Sequence, residues 1–292
     1  MAFNKLRRAI CAIALSGVAV AVPMITGCNT NHPEAKITIE FEGIEYVLNY
    51  KLYRNMYPQT VQHFIELTDN GFYNNMIVHN YQASNLYTGG YTYREDEEWS
   101  YRQAYSEGED GLRDYLEAVS KEKEYNTLAS DTSKITPSVY QDFLHGQYLQ
   151  PLTTLIGEFS SNQHKIDNGA LKNAYGSLKM YYSSKTDVKD RVYLDKVGSA
   201  AGVMGEYRYN RATSLFSIYT GSSTSSDSAY CIFATLSNVK TLDSLKTAIS
   251  KSLLTDEVKL YVDSYFEANP VEETYRVIKT PIIIKTVQIT KY

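Results

Sequence analysis

Residues able to do covalent or metal chemistry are sparse in this chain and far apart. Its five histidines, His32, His63, His79, His145 and His164, show no metal-ligand spacing, so no metal or other cofactor is expected. Cys11 and Cys28 lie close to the N-terminus. Cys231 is then alone in the apolar run Tyr230-Cys231-Ile232-Phe233, where a thiol behaves as a small buried hydrophobe. No disulfide or zinc site can be built from one cysteine. The pairs Glu97-Glu98 and Glu109-Asp110 read as solvated loop rather than as a general acid and base. His79 closes the apolar run Met76-Ile77-Val78 and reads as a core histidine. Composition and spacing thus point to no nucleophile and no metal centre.

The elements that must position these groups follow from periodicity. Polar and apolar residues alternate at about 36–41 and 45–52, which predicts two strands. Pro58 suits the first turn of a helix, where a missing N–H costs nothing. Val61, Phe64, Ile65 and Thr68 give that helix an apolar face, and Asn70-Gly71 ends it. Strands are expected at 76–78, 230–236 and 282–289, and helices at 242–253 and 256–268. Residues 93–154 form a long stretch between these elements. Its first part, 94–110, reads as a mobile acidic loop, and a helix is expected over 111–128. A second helix is expected to start at Thr136-Pro137, with Val139, Tyr140, Phe143 and Leu144 on one face. A further insertion spans about 183–209.

Three ordered blocks resemble the cyclophilins, a family of peptidyl-prolyl cis-trans isomerases. The first is Pro58-Gln59-Thr60-Val61-Gln62-His63-Phe64, then Gly71-Phe72-Tyr73, the strand ending in His79, and Gly89-Gly90. The second is Ile156-Gly157-Glu158-Phe159 with Ala174-Tyr175-Gly176-Ser177-Leu178-Lys179-Met180. The third is Asn210-Arg211-Ala212-Thr213-Ser214-Leu215-Phe216-Ser217-Ile218. The resemblance implies a mainly β fold, a closed eight-stranded antiparallel barrel with capping helices, here carrying a helical insertion. It places this domain at 35–292.

The resemblance also implies a mechanism. A prolyl peptide bond turns slowly because rotation breaks amide resonance, a barrier of about 18–20 kcal/mol. In the family an apolar pocket holds the proline ring while an arginine donates to the prolyl nitrogen. Here Asn80 stands in the place of that arginine. The family's pocket aromatic and methionine fall on Asn85 and Leu86, and its glutamine falls on Thr88. The strand glutamine becomes Leu215, the first phenylalanine is kept as Phe216, and the second becomes Ser217. Met180, Tyr181 and Tyr182 complete the expected pocket. Arg208 and Arg211 read as solvated loop charge rather than as a replacement cation. Two readings stay open. One is an isomerase acting as an envelope protein-folding factor, its activity weak or lost through Asn80. The other is a non-catalytic peptide- or protein-binding surface lipoprotein on the same scaffold.

The N-terminus suggests where the protein works. Lys5, Arg7 and Arg8 precede an apolar run from Ala9 to Val22, too short to span a bilayer comfortably. Ile25-Thr26-Gly27-Cys28 then resembles a bacterial lipobox, which makes 1–27 a signal peptide, Cys28 the lipidated residue and 28–34 a tether. The expected location is the cell envelope, lipid-anchored on the extracytoplasmic side. Removing 1–27 would take three basic residues and shift the net charge from −4 to −7, which argues against nucleic acid. The expected partners are proline-containing peptides or exported proteins, with the chain a monomer. Tyrosine is abundant, 27 residues against one Trp, and is spread along the whole length, which favours a core role over a single binding surface. Cys28→Ala is expected to release the protein from membranes; fractionation that finds it still membrane-bound refutes the anchor.

Overall fold

The computed structural model describes residues 30–142, 147–152, 154–158, 164, 171–182, 211–224, 231–262 and 271–292. It opens with a hairpin of β1 (Glu34–Phe41) and β2 (Ile44–Leu52). Glu42 and Gly43 join them with φ of 52° and 76°, so both turn residues are left-handed. That geometry matches strand twist in a two-residue hairpin. Alternation buries Ile37, Ile39, Leu48, Tyr50 and Leu52 on one face.

Helix α1 (Pro58–Asp69) begins with proline in its first turn and buries Val61, Phe64, Ile65 and Leu67. Its first free N–H groups, those of Gln59 and Thr60, donate to the Glu158 carboxylate at 3.1 and 2.8 Å. A carboxylate at a helix N-terminus is favoured by the helix dipole. Gly71, at φ 71°, ends the helix. The rest of the chain is β3 (Met76–Ile77), β4 (Asn80–Gln82), β5 (Asn85–Thr88), α2 (Tyr101–Ser106), α3 (Glu109–Ala118), α4 (Glu122–Ala129), β6 (Ser138–Asp142), β7 (Gln147–Leu152), β8 (Leu155–Ile156), β9 (Leu178–Tyr182), β10 (Arg211–Tyr219), β11 (Ile232–Leu236), α5 (Val239–Lys251), β12 (Thr255–Val262), β13 (Val271–Ile278) and β14 (Ile283–Lys291).

Nine strands form one curled antiparallel path in the order β3-β14-β1-β2-β11-β9-β10-β5-β4, with β8 attached to β10. This is a half-barrel, not the closed eight-stranded barrel expected from sequence. The reason lies in residues 76–82. The run pairs with β14 at its start and with β5 at its end, switching at Val78 and His79, whose N–H groups donate to Ile282 O and Tyr87 O. The two ends of the path are consecutive pieces of one segment, so neither pairs with the other.

The main core lies inside the curl. Phe64, Tyr73, Phe216 and Phe233 meet there with ring centroids 5.2–5.7 Å apart. Such pairs add about 0.5–1.5 kcal/mol each beyond simple burial. A second core joins α2 and α3 to the β12–β13 hairpin through Tyr91, Tyr101, Leu112, Tyr115, Leu116, Val258, Leu260, Tyr275 and Val277, with Ile77 reaching it from β3. Tyrosines form much of both cores, and several spend their hydroxyls on backbone carbonyls: Tyr73 on Ser214 O at 3.0 Å, Tyr101 on Ile278 O.

Four local expectations are corrected. Residues 256–262 are strand, not helix, because Val258 and Leu260 are fully buried while Asp256, Glu257 and Lys259 stay exposed, a period of two. The helix expected from Pro137 is β6, paired with β7. The helix expected over 111–128 is two, because the backbone of 90–92 takes Val119 O and Lys121 N into hydrogen bonds and interrupts the spiral. The loop expected over 94–110 contains α2, capped by the Ser100 hydroxyl, with Tyr101 buried.

His63 on α1 is buried, its Nε2 donating to Thr213 O at 3.2 Å. Burial pushes its pKa down to about 4; Glu66 and the Thr213 bond oppose the shift. The folded value is below the unfolded 6.5. His63 therefore contributes stability that is present above pH 6.5 and is lost as pH falls towards 4. The loss at pH 5 is expected to be about 2 kcal/mol. Denaturant melts of the protein and of His63→Gln, which keeps a donor but does not titrate, check this: the variant should lose less stability between pH 7 and 5.

Candidate functional site

The strands β4, β5, β10 and β9 carry the residues singled out from sequence, and their register sorts those residues onto two faces. Phe216 stands opposite Thr88 and Met180, and Ile218 opposite Leu86. All of these point into the main core. Leu86, Thr88, Met180 and Phe216 are each 2% exposed or less. Thr88 donates its hydroxyl to Ile77 O at 3.0 Å, which ties β5 back to β3.

The other face is the outer one. Asn80 stands opposite Tyr87, Tyr87 opposite Ser217, and Ser217 opposite Lys179, a row across four strands. At a strand spacing of about 4.8 Å the row spans roughly 14 Å, the length of about four extended residues. Asn85 and Tyr219 form the adjacent row, and Ser217 Oγ lies 3.4 Å from Asn85 Oδ1. Asn85 Nδ2 donates to Ser84 Oγ at 3.3 Å. Leu215 also faces outward and belongs to neither core. Tyr181 meets Tyr87 edge-on at 5.7 Å, and Lys179 Nζ lies 5.6 Å from the centre of the Tyr219 ring. Leu215, Ser217, Tyr219 and Lys179 make a largely buried floor, while Asn80, Asn85, Tyr87 and Tyr181 are half-exposed.

Asn80 is held from outside the sheet. The backbone N–H of Arg276 on β13 donates to its Oδ1 at 3.1 Å. His79, its neighbour, is buried between the rings of Tyr91 and Tyr275 at 4.7 and 5.1 Å. The hairpin β12–β13 therefore lies along the β4 edge. Of the expected site, the structure brings Asn80, Asn85, Tyr181, Leu215 and Ser217 to one face and places Leu86, Thr88, Met180 and Phe216 beneath it. The Tyr182 backbone pairs with Ala212 in the same sheet. Cys28, Arg208 and the 183–209 insertion lie outside the described residues, as does the side chain of Arg211. Tyr87, Lys179, Tyr219 and Arg276 were not singled out from sequence. Strand alternation from Asn85 points to Tyr87, but nothing local marks Arg276. Among the described residues no three His, Cys, Asp or Glu side chains converge as a metal site would need, and the polar groups of the row are amides, hydroxyls and one amine.

Gly89 sets the approach of β5 to β10. It sits at φ 92°, and a Cβ there would lie 2.4 Å from Ser214 O. The Ser214 hydroxyl donates to Gly89 O at 2.6 Å. Gly89→Ala is therefore expected to cost more than about 1 kcal/mol, read as a lower denaturation midpoint.

The family model described as cyclophilin type peptidyl-prolyl cis-trans isomerase/CLD matches residues 36–262, so it ends at β12 and leaves β13 beyond it. Crystal structures of a cyclophilin type peptidyl-prolyl cis-trans isomerase from Cryptosporidium parvum, one of them in the presence of the dipeptide Ala-Pro, are similar over 89% of this chain and 99% of theirs. Their identity is 16% and their TM-score 0.39. No curated protein matches the chain.

Proposed function

The chain belongs to the cyclophilin-type peptidyl-prolyl cis-trans isomerase family, and from that premise we propose that it binds proline-containing segments of exported proteins and isomerises them slowly, as an envelope folding factor anchored through lipid on Cys28. The observation that carries this reading is the family match over residues 36–262, with the half-exposed Asn80 and Tyr87 paired across β4 and β5 where the family's site strands lie. The chemistry needs no covalent step. A bound peptide has its prolyl bond relieved of resonance when a donor meets the nitrogen as it loses conjugation, and pre-organised donors lower such barriers most.

The rate is low because of Asn80. Its Oδ1 is occupied by the Arg276 N–H, which leaves Nδ2 as a short, neutral donor. Loss of a charged donor of this kind costs about 3 kcal/mol, or about a hundredfold or more in rate. The same engaged amide favours the second reading, a face that binds peptide without turning it over. Among the described residues no helix is long and apolar enough to cross a membrane; the attachment proposed here is through lipid on Cys28.

The test follows isomerisation and binding of an X-Pro peptide by the full chain and by Asn80→Arg. Slow turnover by the native protein is expected, with Asn80→Arg faster by about tenfold or more. Peptide bound without turnover in both proteins would select the non-catalytic reading. Neither binding nor turnover in either protein would remove both.

A further inference from the structure

Residues 30–33 are pinned to one end of the sheet. The Thr30 N–H donates to Tyr292 O at 3.2 Å, the Leu52 N–H to Pro33 O at 2.8 Å and the Asn55 N–H to Asn31 O at 3.4 Å. Beside them lies a cavity of about 410 Å³, bordered by His32, Glu34, Asn49, Lys51, Thr290 and Lys291. Its charges follow from strand register. Glu34 on β1 stands opposite Lys51 on β2 and opposite Lys291 on β14. One carboxylate lies between two ammonium groups and cannot neutralise both. It pairs with Lys291 at 3.2 Å. Lys51 forms no ion pair among the described residues, and its Nζ lies 5.2 Å from the centre of the Tyr53 ring. His32 meets the same ring edge-on at 5.1 Å and keeps a buried Nδ1 without a partner. Arg54 brings another cation to this end, its Nη1 donating to Thr30 O at 3.3 Å.

We infer that this cavity takes the phosphate of an anionic lipid headgroup, with Lys51 and Lys291 as its cationic ligands and Glu34 as the counter-charge that holds Lys291 while no lipid is bound. The inference rests on the lipid anchor proposed above and adds an electrostatic contact to it. Two residues separate Cys28 from Thr30 and four separate it from His32, so the anchor holds the membrane surface within about 7 Å of the one and about 14 Å of the other. The field of an anionic surface fades over about 8 Å at physiological salt, so cations act on it only from this end. The rest of the chain is acidic, with a net charge of −7 once 1–27 are removed. An anionic leaflet repels that bulk and attracts the cavity, which sets the protein upright on its tether. Each ammonium carries three N–H donors, and a phosphate offers acceptors only, so the contact is charge-assisted on both lysines.

The experiment sediments the full chain with vesicles of phosphatidylcholine alone, or of phosphatidylcholine mixed in equal parts with phosphatidylglycerol, with a thermal melt on each variant. Every chain carries Cys28→Ala, so no acyl group contributes, and the apolar run from Ala9 to Val22 is common to all. Lys51→Gln and Lys291→Gln should each weaken binding to the anionic vesicles by about fivefold and leave binding to phosphatidylcholine unchanged. Lys251→Gln makes the same charge change outside the cavity and should shift binding by less than about twofold. Glu34→Gln frees Lys291 and should strengthen anionic binding by about fivefold, with an unchanged melt. Should a glutamine variant fail to fold, Lys51→Arg and Lys291→Arg replace it, and both should bind as the native chain does. Equal losses in Lys51→Gln and Lys251→Gln overturn the inference, as does weaker binding by Glu34→Gln. Calorimetry with inorganic phosphate separates the remaining source: phosphate bound through the lysines, with vesicle binding the same in all variants, makes this a free-anion site and also overturns it. Fractionation of Cys28→Ala reads the anchor separately. Failure of the vesicle result leaves that anchor standing, and failure of the anchor leaves the vesicle result to decide the cavity.

Discussion

Residues 76–82 change hydrogen-bonding partner half-way along, and the architecture is arranged around that switch. Up to Ile77 the backbone belongs to β14, and from His79 it belongs to β5. One short segment thus supplies both ends of the sheet. Its side chains divide in the same way. Met76 and Val78 enter the main core, Ile77 enters the second, His79 is sandwiched by tyrosines and Asn80 emerges on the outer face. Buried backbone groups must find partners, so a segment shared by two pairings cannot slide without breaking both. Asn80 is therefore placed first by main-chain pairing, and its Oδ1 then takes the Arg276 N–H.

The second core explains how a hairpin beyond the family-matched region reaches this edge. Helices α2 and α3 and strands β12 and β13 share one core. Together they bury Tyr101, Leu112, Tyr115, Val258, Leu260, Tyr275 and Val277. Tyrosine suits a core assembled from short pieces, because its ring fills space while its hydroxyl meets a carbonyl that no strand has satisfied. Tyr101 does this for Ile278 O, and Tyr115 for Arg94 O. The insertion thus buttresses the hairpin, and the hairpin presents β13 to β4.

Much of this frame was legible where local pattern and tertiary role agree. The first hairpin, α1 with its proline, β3 and β14 follow from alternation, capping and burial that point the same way. Legibility ended where pairing partners lie far away in sequence. Residues 256–262 carry apolar groups at positions that serve a strand or a helix, and only the partner β13 decides between them. The expected helix over 111–128 has good helical spacing, but residues 90–92 claim its middle. At the site, the family motifs fall on β4, β5, β9 and β10, which share one sheet. They did not say which side chains face outward. That is a matter of register, and a shift of one residue exchanges the faces. Leu86 and Thr88 thus lie beneath the face that Asn85 and Tyr87 line. Arg276 had no sequence signal, because its place depends on an unforeseen hairpin.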